Sequence, residues 1–320
     1  MEASLRSGWA IPRKVLVLSA TVAAALIVPF VAALWLAGVS AAVGLGMGFL
    51  AGTRPAISLG PRSAMALAVP IALTGAVAVG LRGQPFTAAC FVALCCLMVA
   101  PAELRQQGLL AGVPTAAAAL LVSVPGNYDQ AATAGWMVLG SLLLVAVAVV
   151  AKFPRPAATG TPPEQAWRHA AAMAAAVGLV VYLVELYQVP HGYWVAVTIT
   201  VVLRPLPDET RTRARQRILG TIAGVLLALV LAWLLPAWGV AIALVACLVF
   251  MISYALLDDY ARQVVFLTPA VVLLAPAGGT GLIAAERALA TLAGTLLAGV
   301  LALFLDRTSR EAPETTPPKD

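Results

Sequence analysis

The residues able to recognise a solute crowd into positions 191–224, HGYWVAVTITVVLRPLPDETRTRARQRILGTIAG. Tyr193 and Trp194 could stack on an aromatic ring, or simply sit in the aromatic belt of a membrane interface. Arg204-Pro205 forms a turn, and Arg211, Arg213, Arg215 and Arg217 alternate behind it. On a helix Arg213 and Arg217 share one face and Arg211 and Arg215 another. Such a run either holds its segment at the cytoplasmic surface, against anionic lipid, or forms a funnel that concentrates organic anions. Arg217, Thr221 and Gly224 fall on one helix face at i, i+4 and i+7. With Gly220 that face can seat a neighbouring helix, or it can line a route with its backbone open to a solute. The chemistry on offer is anion recognition.

Outside this stretch, Glu185 is the one acid well inside an apolar run. An ionisable group placed there is a functional candidate, here for proton coupling, or a paired structural acid. Glu286 suits the positive start of the last helix, whereas Arg287 opposes it. Arg287 therefore wants an anion, which could be Glu185, a lipid or a carboxylate solute. Asp258 and Asp259 are read as closing the tenth helix against the dipole, and as pairing with the arginines of the 204–217 segment. His191 is read as a solvated loop residue or a pH-responsive one.

The elements that carry these residues are membrane helices. Hydrophobic residues make up 62% of the 320 positions and charged ones 11%, where a soluble domain carries about 25% charged. The mean hydropathy is +0.96. The net charge of +6 does not indicate nucleic acid, because the arginines cluster at the ends of apolar segments. Cys90, Cys95, Cys96 and Cys247 lie inside apolar runs without metal-ligand spacing, and only His169 and His191 could join them, so neither a disulfide framework nor a metal site is expected. No phosphate-binding loop or zinc-hydrolase motif occurs. No cofactor and no enzymatic activity are expected.

Twelve apolar segments follow one another: 15–36, 38–53, 63–81, 86–100, 108–123, 133–151, 167–188, 192–203, 218–235, 239–257, 263–275 and 283–305. Val15–Leu36 is too long for a cleaved leader and reads as a retained first helix. With the N-terminus inside, all of the 20 Lys and Arg except Arg82 and Arg287 fall on the cytoplasmic side, and both termini are cytoplasmic. Segment 192–203 is β-branched and would be a strand in water. In a bilayer its backbone must be satisfied internally, so it is expected to be a short crossing helix.

Pro, Gly and Thr between 152 and 166 mark a cytoplasmic linker. Arg54-Pro55 and Arg204-Pro205 each follow the second segment of a half. Glu103-Leu-Arg105-Gln106 likewise corresponds to Asp259-Tyr-Ala-Arg262-Gln263. The expectation is an all-α integral membrane protein of about twelve transmembrane helices in two parallel six-helix repeats. The first repeat takes 1–151 and is degenerate, the second takes 167–307, and 308–320 is a disordered tail. Within the second half, Arg217-x-x-x-Thr221-x-x-Gly224 returns as Arg287-x-x-x-Thr291-x-x-Gly294 on a helix entering from the other face. That echo hints at inverted symmetry.

Tyr193, Trp194, Arg204-Pro205, Thr210, Arg213, Arg217 and Gly220-Thr221-x-x-Gly224 resemble the fusaric acid resistance-like membrane proteins, the aromatic acid exporters with plant malate channels as distant relatives. The resemblance implies multi-pass residence in a plasma or inner membrane and efflux of small organic anions such as aromatic carboxylic acids. Its alternatives are a passive anion channel or a non-transporting scaffold of an envelope complex. It implies a substrate path past Tyr193, Trp194, Arg204, Arg213, Arg217, Thr221, Gly224 and Arg287. The partners are lipid and a small organic anion, with a second copy or an accessory efflux protein left open.

Overall fold

The computed structural model describes residues 10–106, 108–122, 129–153, 159–189, 191–273 and 280–310. Among them every regular element is helical. The first half contributes α1 (Arg13–Ala37), α2 (Val39–Ser58), α3 (Pro61–Gly80), α4 (Pro85–Leu97), the short α5 (Val99–Glu103), α6 (Gly112–Val122) and α7 (Gln130–Val150). The second contributes α8 (Pro163–Tyr187), α9 (Tyr193–Val202), α10 (Pro207–Leu234), α11 (Ala237–Leu256), α12 (Tyr260–Val272) and α13 (Thr280–Arg310). Each of the twelve apolar segments is represented by a helix.

Among the described residues, eight stretches are long and apolar enough to cross a membrane: α1, α3, α4 with α5, α7, α8, α10, α11 and the Ala285–Phe304 part of α13. The chain is a multi-pass membrane protein. α2 has 20 residues, but its glycines and Arg54 dilute its hydropathy. α9 has 10 residues and so spans about 15 Å, half of a hydrocarbon core of about 30 Å.

Local chemistry sets the boundaries. Pro61, Pro85, Pro163 and Pro207 occupy the first turn of their helices, where a missing N–H costs nothing. α8 stops at Gln188, whose φ is +51°. α9 is closed by extended Leu203 ahead of Pro205. α10 begins earlier than its apolar run: the arginines of 211–217 sit on its first turns, not in a loop, behind Asp208 and Glu209 at the dipole-favoured end. Asp259 turns to its own helix and not to those arginines. It caps α12, accepting from Arg262 N at 3.1 Å, and pairs with the Arg262 side chain at 3.1 Å. Negative charge there stabilises the start of a helix. The linker at 152–166 is described only in part, and Thr161 N donates to Glu103 O at 2.8 Å. α13 continues to Arg310, so 308–310 are helical and the remaining tail lies outside the described residues.

Packing follows small residues. The core of the first half and its join to the second is built mainly from Ala and Val. Trp35, Leu36, Val150, Trp233 and Trp238 point outward, as a lipid solvent allows. Neighbours can be followed as a closed circuit. α1 packs on α2, α2 on α7, α7 on α3, α3 on α6 and α6 on α4. From α4 the circuit passes to α8, then α9, α13, α10, α12 and α11, which returns to α1. With α5 set aside, helices counted from the start of each half meet in the same order: first, second, sixth, third, fifth, fourth.

Candidate functional site

α9 and α13 supply one side of a buried cationic cluster. Tyr193 and Trp194 open α9 with ring centroids 4.5 Å apart, and Arg287 Cζ lies 4.1 Å over the Trp194 ring. Arg287 is 1% exposed, and its Nε and Nη1 have no hydrogen-bond partner. A desolvated cation–π contact contributes about 2 kcal/mol, while taking an ion out of water costs several. Trp194 therefore offsets only part of the cost.

α10 and α12 supply the other side. Arg217 is 2% exposed, its Nε is unpartnered, and it lies within electrostatic reach of Arg287, as do Tyr193 and Tyr260. Arg213 Cζ sits 4.4 Å over the Tyr260 ring, whose buried hydroxyl also lacks a partner. Arg211 and Arg215 are exposed, and Arg211 pairs with Asp208 at 3.1 Å. The helical face dictated by the alternating sequence thus separates inward from outward arginines.

Arg204 extends the cluster through the turn between α9 and α10. The buried Thr210 hydroxyl clasps that turn, accepting from Arg204 N at 2.9 Å and reaching Arg204 O at 3.2 Å and Leu206 O at 3.3 Å. Burial above all, then Arg213 and Arg54, press the Arg204 guanidinium down to about 10, against the opposing pull of Tyr260 and Glu209. It remains a cation at neutral pH. Thr210→Val should lower stability by about 1–2 kcal/mol, with Thr210→Ser retaining most of it. A thermal melt of the purified protein reads this, and equal midpoints for Val and wild type would show that the clasp contributes nothing.

Thr221 and Gly224 are buried, but Gly224 is a packing position. A Cβ there would lie 2.6 Å from Thr268 Cβ and 2.7 Å from Val265 O. At Gly294 a Cβ would lie 2.7 Å from Thr198 Cβ and 2.8 Å from Val195 O. The two contacts match with partners exchanged: each glycine meets a Val carbonyl and a Thr, and each corresponding pair is 70 positions apart. The Arg-Thr-Gly echo therefore has equivalent surroundings on α10 and α13.

Glu185 stands apart from this cluster. Its Oε2 accepts from Gly83 N at 3.1 Å, tying α8 to the turn between α3 and α4, so it is not the partner of Arg287. His191 Nδ1 lies 2.7 Å from Glu286 Oε2, without the alignment of a hydrogen bond. Sequence reasoning did not single out Tyr260, nor the buried pair Glu103–His169, in which Glu103 Oε2 is 3.1 Å from Nδ1. Their sequence separation leaves no local pattern. The clefts on the first half, one of about 410 Å³ between α2, α3 and α7 and one between α1 and α7, lie away from the cluster.

The chain is thus a multi-pass helical membrane protein in which, among the described residues, arginines are buried between helices without ion-pair partners. Residues 179–301, which include the residues of this cluster, match the fusaric acid resistance protein-like family model. It is 29% identical over 140 residues to the inner membrane protein YccS of Escherichia coli, a match covering 43% of this chain and 19% of the relative. It is 33% identical over 107 residues to an uncharacterised protein of Haemophilus influenzae, covering 33% of this chain and 15% of the relative. The matches thus span less than a fifth of either relative. No solved structure matches the chain.

Proposed function

We propose that this protein exports small organic anions, aromatic carboxylates foremost, across a plasma or inner membrane, the location carried by the name of the Escherichia coli relative. One observation carries the reading. The buried side-chain atoms left without a hydrogen-bond partner, among the described residues, all lie between His191 and Thr295, and they include nitrogens of Arg204, Arg217 and Arg287. None of these arginines, nor Arg213, forms an ion pair among the described residues. A carboxylate would satisfy two guanidiniums at once, and its ring would find Trp194 and Tyr193 alongside. Both deep arginines are nearly sealed from solvent, which favours a carrier opening by turns over a standing pore. The shared neighbour order of the two halves supports twelve crossings in two parallel repeats, with α9 a short crossing, and the sorting of Lys and Arg supports cytoplasmic termini.

Efflux of labelled hydroxybenzoate from energised vesicles tests the proposal. Arg217→Gln should lower the rate by roughly 10–100-fold at normal abundance, as expected when a charged partner of a bound ion is removed. Unchanged export by that variant would remove the arginine from the path. An anion current needing no gradient would replace the carrier by a channel.

A further inference from the structure

The imidazole of His169 is wedged between two acceptors. Its Nδ1 lies 3.1 Å from Glu103 Oε2, and its Nε2 lies 3.3 Å from the Leu203 carbonyl oxygen. Glu103 is 2% exposed and His169 4%. A neutral histidine carries one N–H and cannot donate to both neighbours. The arrangement closes only when the pair holds two protons: either an imidazolium facing a carboxylate, or a neutral Nε2–H imidazole accepting from a protonated Glu103. With one proton left, one of the two contacts becomes acceptor against acceptor in a buried site, which is costly.

The pair also sits at a mechanical joint. Glu103 ends α5 in the first half, His169 is on α8, and Leu203 O belongs to the last turn of α9, where carbonyls lack helical partners. The next residue is Arg204, whose turn Thr210 holds. We infer that Glu103 and His169 form a proton-binding site that fastens the α9–α10 turn to the first half while loaded and releases it on losing one proton. Resting on the anion-export reading, this is the proton whose movement opens the route behind Arg204. It replaces Glu185 in that role, since Glu185 is held on Gly83 at the other end of α8.

The other titratable and charged groups around the site come from the elements packed on it. On α8, Glu164 and Arg168 pair with one another at 3.3 Å, and Tyr182, Glu185 and Tyr187 lie toward the far end. Cys90, Cys95 and Cys96 are on α4, Arg105 follows α5, and α6 has none. Tyr193 opens α9 at its far end and Arg204 follows its near one, while Glu286 and Arg287 of α13 sit beside the far end. Of the cations among these, Arg168 and Arg105 adjoin the pair in sequence, and Arg204 follows Leu203.

The chain has 2 histidines, so nitrogen-15 spectra of histidine-labelled protein in nanodiscs resolve His169 once His191→Asn removes the other. Over a pH series, His169 should pass from a state with Nε2 protonated and Nδ1 hydrogen-bonded to one with a bare nitrogen. Amide exchange over 203–210, corrected for its intrinsic pH dependence, should rise at least tenfold in step. Glu103→Gln can donate to Nδ1 without a titratable proton. It should hold the neutral Nε2–H form throughout, keep 203–210 protected, and abolish the hydroxybenzoate efflux that wild type shows. A His169 spectrum unchanged over the range, or pH-dependent exchange persisting in Glu103→Gln, overturns the inference. Absence of efflux in wild type as well, with the spectral and exchange changes intact, would defeat the export reading and leave the proton site standing.

Discussion

Arg287→Met should make the purified protein more heat-stable while abolishing its stabilisation by hydroxybenzoate. The guanidinium is buried with two nitrogens unsatisfied. Replacing such an ion by an apolar side chain of similar volume is often neutral or stabilising by about 1–4 kcal/mol. The lost stacking on Trp194 returns about 2 kcal/mol of that, so a gain of about 1 kcal/mol is expected. In wild type, an acid present at a hundred times its dissociation constant should add about 2.7 kcal/mol, and in the variant nothing. Arg287→Lys should fall between, since an ammonium keeps the charge but neither the planar stack nor the two-pronged grip on a carboxylate. Thermal melts with and without ligand read all three. A lower midpoint for the Met variant would mean that the guanidinium stabilises the resting fold. A retained ligand effect would place the anion elsewhere.

Gly48→Ala and Gly140→Ala should each cost about 3 kcal/mol, the upper end for forcing atoms into a filled interface. On α2 a Cβ at Gly48 would fall onto the Met137 carbonyl, and on α7 a Cβ at Gly140 would fall onto the Leu45 carbonyl. Both obstacles are backbone, which cannot rotate aside. Ser141 Oγ donates to Gly48 O at 2.9 Å across the same seam. At Gly135, by contrast, nothing lies within 4 Å of the position a methyl would take. There Ala should be neutral or stabilising by about 1 kcal/mol through helix propensity. Unfolding free energies in mixed micelles test the contrast, and equal costs at all three positions would show that close approach is not what the glycines provide.

Composition and apolar spacing alone identify a multi-pass helical membrane protein, because no soluble fold tolerates so little charge. Every apolar segment is a helix for the reason that governs any chain in lipid: the backbone must bond to itself, which overrides the strand-like β-branching of Val195–Val202. The face shared by Arg213 and Arg217 is also legible, since helical periodicity fixes what points together. The boundary of α10 is not, because its amphipathic first turns are too charged to read as a continuation of an apolar run. Partners are the other thing that sequence hides. Asp259 suggests distant arginines and turns instead to its own helix, and Arg287 suggests Glu185 and finds Trp194.

What the sequence by itself determined is the medium, the helices and the inward side of each, all of which depend on neighbours within one or two turns. Only the tertiary structure decided that Arg217 and Arg287, from helices 70 positions apart, share one buried cluster, and that His169 lies between Glu103 and Leu203. Those meetings depend on which helix packs beside which, and in lipid that choice rests on small-residue seams and interhelical polar contacts spread over the chain.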